Sequence, residues 1–294
     1  MATPLGHPLD WRGEFPRDVT VVNLPVSSID RCQALFQRTL PVLDRAFESL
    51  VPQVPPPELL QIGFHEHFRY RDKTAAQAVI QKLSRIISGL RAQRVLLDAG
   101  LYQEVGAMAR ILDELGEDVV LLSESVRTGI VTALHTQMLN QFYEEEFDNP
   151  NNPMTSTQRR PMVRREKVRA AIAALPNQAV NPSDSAELNR TLFHTMSGYV
   201  HPTSVHILDS WGGHPPHFHL TGMRDTPREP QWEAQGIQYL HRGLMWIMYA
   251  AKAFGDRVLV EKLYLFRGLF EQESGLIDWP DPDKRVRQLR QRRT

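Results

Sequence analysis

Cysteine is nearly absent: Cys32 stands alone among 294 residues. No intrachain disulfide can form, and no cage of cysteine thiolates can hold zinc, so the chain suits a reducing compartment. Residues 1–11 hold prolines, a histidine and an aspartate but no apolar stretch, so they do not read as a secretory leader. The expected location is cytoplasmic. The longest strongly apolar run is the eight residues 244–251, against about 20 for a membrane-spanning helix, so no membrane partner is expected. Charge of one sign is also missing. The 34 basic and 34 acidic residues cancel, which removes any global field steering the chain to nucleic acid but leaves room for local patches. There is no Walker phosphate loop, no Gly-rich dinucleotide turn and no Gly-x-Ser-x-Gly elbow. Those absences argue against phosphoryl transfer from ATP, nicotinamide chemistry and a hydrolase sheet.

What is present is an ordinary globular composition, 41% hydrophobic and 23% charged, long enough to bury a core. The pattern is helical. Residues 1–26, with Pro4, Pro8, Pro16 and Pro25, read as an irregular arm. Ser27 or Ser28 caps a helix towards Leu50, which Pro41 is expected to kink or split. A short helix is expected over 58–69. From an N-cap at Asp72, Ala76, Val79, Ile80, Leu83, Ile86, Ile87 and Leu90 fall on one helical face. Gly100 closes that helix, and Val105, Met108, Ala109, Leu112, Leu115 and Val119 mark a second, so an antiparallel hairpin is expected. A third helical stretch spans 125–147.

The turn-rich residues 148–153 divide the chain. The reading is an all-α helical bundle built around antiparallel helical hairpins. An N-terminal half covers 27–148, a linker 149–161 and a C-terminal half 162–276. The second half contains a basic helix at 162–175 and a helix from Asp184 through Val200. A long His/Pro/Gly-rich loop follows at 202–230, then helices at 231–254 and 256–272. The basic tail is 277–294. Residues 240–254 are apolar nearly all round, which suits a central core helix better than a dimer seam.

Three constellations could carry chemistry. Arg190, His194, Ser197 and His201 recur along one side of a helix, opposite the apolar sector of Leu188, Leu192, Met196 and Tyr199. A guanidinium beside imidazoles suits anion recognition or acid–base cleavage of a phosphodiester, and a polar face turned to water is the plainer reading. His206, Asp209, His214, His217 and His219 form the second. In an extended segment His217 and His219 point to one side, and with His214 or another third ligand they would hold zinc. No cofactor is otherwise expected. The third is charge: Arg159, Arg160, Arg164, Arg165, Lys167 and Arg169 cluster, and the tail is basic again. Both could meet RNA phosphates, although a solvated face explains them as well, and the acidic trio Glu144, Glu145 and Glu146 could offset the first run.

Two segments bear a family resemblance. Residues 90–124 resemble the helical hairpin of a bacterial all-helical family of unknown function, with Arg110, Leu112 and Glu114 in its "R-x-L-x-E" core. "FHTMSGYVHP" resembles that family's "Y-x-x-L-S-x-x-V-H-P" element through Phe193, Met196, Ser197, Val200, His201 and Pro202. The likeness covers residues 75–210 and implies a helical fold. The layout is more distantly similar to HEPN domains, which include metal-independent ribonucleases, though the Arg–His spacing here differs from theirs. The expectation is a bacterial helical binding or interaction module, of the kind found in defence or stress responses. A protein partner or self-association is expected, with Ser197 and His201 bracing Arg110 and Glu114. The enzyme alternatives are HEPN-like RNA cleavage by Arg190, His194, Ser197 and His201, and a metal-dependent hydrolase built on the 206–219 histidines.

Overall fold

The computed structural model describes residues 28–159, 161–175 and 195–275. Its helices are α1 (Ser28–Leu50), α2 (Ala75–Asp98), α3 (Tyr102–Thr128), α4 (Ala133–Tyr143) and α5 (Arg165–Ala173), then α6 (195–200), α7 (Ser204–Leu208), α8 (Glu229–Ala253) and α9 (Arg257–Glu273). Two antiparallel strand pairs join them: β1 (Glu58–Ile62) with β2 (His65–Arg69), and β3 (Trp211–Gly212) with β4 (His217–Phe218). The fold is mainly all-α. No helix among the described residues is long and apolar enough to cross a membrane.

The apolar steps from Val79 to Leu90 bury one face of α2, as their spacing requires. Its cap is Thr74 rather than Asp72. The Thr74 hydroxyl accepts from the Gln77 amide at 3.2 Å, and the Gln77 side-chain oxygen accepts from the Thr74 N–H at 2.9 Å. α3 returns antiparallel, bringing Asp118 to Lys82 and Leu112 to Gly89. The joint between them is Gly100, with φ 69°. A side chain there would also meet the backbone nitrogens of Arg224 and Met223 at 2.6 and 2.7 Å. Glycine is required both by backbone handedness and by the segment lying on it.

α8 is the central helix and packs against α1, α2, α3 and α9. Its Leu240, Leu244, Ile247, Ala250 and Ala251 are buried in one core shared with α1, α2 and α3. Each fully buried leucine or isoleucine contributes about 2 kcal/mol by leaving water, so this shared core outweighs any single surface contact. The halves expected on either side of residues 148–153 therefore share one core. Trp246 of α8 lies directly on Gly116 of α3, where a Cβ would stand 2.0 Å from the indole Cε2.

Some expectations need correction. The helix expected over 58–69 is the β1–β2 hairpin. Ile62 pairs with His65, leaving the two-residue turn Gly63–Phe64 with Gly63 at φ 60°. Glycine at the first turn position suits the twist of the flanking strands. α1 is not split: Pro41 and Gln37 both face solvent, so water can satisfy the carbonyl that the proline leaves without a donor. The stretch 125–147 is two helices. α3 ends at Gly129, φ 71°, and α4 starts from a second capping box in which His135 plays the part usually taken by Glu, its Nδ1 accepting from the Thr132 N–H at 3.0 Å. The expected helix start at Asp184 and the basic tail lie outside the described residues.

Candidate functional site

The histidine-bearing segment sits at the Gly100 end of the bundle. Arg190 and His194 lie outside the described residues. Ser197 belongs to α6, and the exposed His201 follows one turn later, its N–H donating to the Ser197 carbonyl at 2.9 Å. Arg110 pairs with Glu114 one turn along its own helix. The packing in this region is carried by Tyr199 and His206. Tyr199 lies on Gly106 of α3, meets the Trp232 ring edge-on at 5.5 Å, and donates its hydroxyl to Asp209 at 3.1 Å. Burial, and then the Asp209 carboxylate, push its phenol up to about 12. His206 bonds Thr203 Oγ1 through Nδ1 at 2.7 Å and the Thr195 carbonyl through Nε2 at 3.1 Å. Its ring presses on Gly198, where a Cβ would lie 2.1 Å away. Both ring nitrogens serve the fold, so His206 acts as a brace.

In the 206–219 segment the end of α7 leads into the β3–β4 pair. In the β3–β4 pair the rings of His217 and His219 stand 4.4 Å apart, and Trp211 meets Phe218 edge-on at 4.7 Å. His217 Nδ1 is engaged by the Pro215 carbonyl at 2.9 Å. Among the described residues no group of three His, Cys, Asp or Glu is arranged to hold a metal ion. His214, His217 and His219 thus supply a pair of adjacent rings but not the three-ligand set that zinc requires.

The basic run divides. Arg159, Arg164 and Lys167 are exposed, and Arg160 lies outside the described residues. Arg165 and Arg169 turn inward and clamp α5 to α3. Arg165 meets Asp118 at 2.6 Å and Arg169 meets Glu117 at 2.7 Å. Asp118 also receives Lys82 at 2.9 Å, and the Lys82 ammonium lies 4.0 Å over the Phe142 ring. The carboxylates offsetting the run are therefore Glu117 and Asp118. Of the trio expected to do so, Glu145 instead pairs with Arg69 of β2.

The sequence reading missed a groove at the other end of α2. It has a volume of about 560 Å³ and lies between the β1–β2 hairpin and the helical body. Phe47 of α1 with Val51 just past its end, Ile80 and Gln81 of α2, and Phe142 and Tyr143 of α4 form the body side. Pro57, Phe68 and Tyr70 form the hairpin side, and Lys73, Glu144, Glu145 and Glu146 line it as well. The Tyr143 hydroxyl donates to the Thr74 carbonyl at 2.9 Å, fixing this wall to the N-cap of α2. Burial pushes the Tyr70 and Tyr143 phenols up, so both are neutral at physiological pH. Hydrogen bonding from Arg69, above all, holds the Glu145 carboxyl below the usual carboxylate range. A second depression of about 780 Å³ shares Lys73, Tyr143, Glu144 and Glu145 with the groove.

The hairpin beside the groove carries apolar surface in solvent. Leu59 and Phe68 face each other across the strands and are 50% and 68% exposed, and Phe64 at the turn is 77% exposed. Among the described residues the β1–β2 sheet has two strands, and no third strand pairs with the outer edge of either. A concave, largely apolar site with a few polar groups converging on it is the geometry of a binding site. The groove lies at the start of 24-residue α2 and the histidine cluster beyond its end, about 36 Å along the helix axis at 1.5 Å per residue. A sequence cue existed in Gly63 directly after the short, mostly apolar stretch 59–62. Exposure and concavity have no such cue. No protein-family model, curated protein or solved structure matches this chain.

Proposed function

We propose that this chain is a binding module that takes an extended segment of a partner protein in the groove between the β1–β2 hairpin and the helical body. The observation that carries the reading is Phe68. It is a largely exposed aromatic that borders the groove and stands on a strand whose outer edge pairs with no third strand among the described residues. A sheet edge offers main-chain hydrogen bonds to an incoming strand, and an adjoining apolar groove receives alternate side chains. The single, buried Cys32 supports placing the module in the cytoplasm.

The test is selection of random displayed peptides on the immobilised chain, followed by solution binding of the enriched sequences. Selected peptides should lose about tenfold or more in affinity for Phe68→Asp while the variant keeps its melting temperature. Enriched peptides that bind Phe68→Asp as well as the parent would overturn the assignment.

A second reading is HEPN-like RNA cleavage at the opposite end. It is favoured by the exposed His201 one turn from Ser197, where an imidazole can meet a solvent-borne phosphate. RNA incubated with the chain in EDTA should then be cut, and His201→Ala should abolish the cutting. Intact RNA removes this reading.

A further inference from the structure

We infer that the partner segment is basic: an extended strand whose lysine or arginine stems lie on the groove's aromatic walls and whose charged heads reach the Glu144–Glu146 rim. The inference rests on the peptide-groove reading above and adds the chemistry of the occupant.

Charge on the rim comes first. Three consecutive carboxylates, Glu144, Glu145 and Glu146, line the groove against two cations, Arg69 and Lys73. Arg69 is already committed to Glu145 through two hydrogen bonds, at 2.6 and 2.9 Å. Glu146 is exposed, and Asp148 lies just beyond in the adjoining depression. The same place holds the C-terminus of α4. That helix has no basic residue in its last turn, so its own sequence does nothing to offset the partial negative charge of its terminal carbonyls. Carboxylates and helix end therefore act with the same sign.

The walls suit the same cation. Phe68, Tyr70, Phe142 and Tyr143 offer aromatic surface. Ring faces attract ammonium and guanidinium groups, and the aliphatic stems of lysine and arginine pack on apolar surface while their heads stay wet. The chain already places one cation in this way, with the Lys82 ammonium 4.0 Å over Phe142. With Glu145 held by Arg69, an acidic segment would still face the Glu144 and Glu146 carboxylates and a helix C-terminus, against Lys73. The open strand edge and the exposed Leu59–Phe68 pair commit the site to a peptide rather than a free polyamine. An extended chain satisfies the edge's N–H and C=O groups, which a polyamine cannot do with its amines alone.

The experiment uses the full chain and three fluorescein-labelled peptides of equal length that alternate leucine with lysine, glutamate or serine. Fluorescence anisotropy reads the binding. The lysine peptide should bind about tenfold or more tightly than the glutamate peptide. Glu146→Lys should weaken it about threefold and Lys73→Glu should tighten it by a similar factor, both variants being at exposed positions. Unlabelled spermine should not displace it at concentrations where unlabelled lysine peptide does. Equal binding of all three peptides, or Lys73→Glu weakening the lysine peptide, overturns the inference and leaves the groove reading standing. Displacement by spermine as effective as by the peptide replaces the peptide with a polyamine. If no peptide binds, both the groove reading and this inference fall.

Discussion

Arg69 of β2 grips Glu145, just past α4, with two hydrogen bonds, Nε to Oε1 at 2.6 Å and Nη2 to Oε2 at 2.9 Å. This fork ties the hairpin to the helical body. Gly63 adds a close contact with Asn151 and Pro150 on the far side. Both partners are more than a third exposed, so the pair is worth about 1 kcal/mol or less to global stability. Arg69→Ala should leave the urea midpoint almost unchanged. It should nonetheless speed hydrogen exchange across β1 and β2, because the loss is local. A large drop in global stability with unaltered hairpin exchange would contradict this picture.

The same tie sets a pH dependence. Arg69 depresses the Glu145 pKa, so the tie's contribution is fully present above the unfolded-state value of 4.5 and fades as pH falls through the lower folded-state value. Hairpin amides in the parent should therefore lose protection between neutral pH and about pH 3, after correction for the intrinsic exchange rate. In Arg69→Ala that acid-dependent step should shrink to what the Glu58–Arg71 pair contributes, whose carboxyl is likewise held low by its arginine.

Two glycines separate packing from backbone strain. Gly116→Ala drives a methyl into Trp246 and should destabilise the chain by about 2–3 kcal/mol. Gly129→Ala meets nothing within 4 Å but must adopt φ 71°, so its loss should be about 1 kcal/mol. Chemical denaturation of both variants checks the order. If Gly129→Ala proves the worse of the two, the close approach of Trp246 to α3 is wrong.

Among the histidines of the 194–219 region, His206 and His201 should behave differently. His206→Ala removes two ring hydrogen bonds and the edge contact to Tyr199, 4.5 Å between centroids, and should cost about 2 kcal/mol. His201 is exposed, so His201→Ala should stay within about 0.5 kcal/mol of the parent. Thermal melts of the pair are sufficient. Equal losses would show that exposure does not separate their roles.

The sequence was informative wherever one periodicity governed a long segment. The steps through α2 and α3, Gly100 between them and the mostly apolar second half of α8 were legible because burial of a helix face leaves a three- and four-residue rhythm. The hairpin was not. Leu59, Leu60, Ile62 and Phe68 are too few to separate a helical from a strand period, and two of them, Leu59 and Phe68, are exposed rather than buried. The basic run misled in part for another reason. Arg165 and Arg169 look like Arg164 and Lys167 in one dimension, and only the docking of α5 on Glu117 and Asp118 turns two of them inward. The groove could not be read at all, since it is assembled from α1, α2, α4 and the hairpin, whose proximity is a product of the fold.

The inward pair on α5 has a consequence for how that short element finds its seat. Arg165 and Arg169 are one turn apart and sit over Glu117 and Asp118, side chains that are at most 18% exposed. A slide of α5 by one turn would preserve much of its apolar contact yet remove a cation from a carboxylate sheltered from solvent. That mismatch is poorly screened by salt and harder to absorb than a misfitted methyl. Complementary charge thus selects a single docking position for nine residues that apolar area alone would hold only loosely.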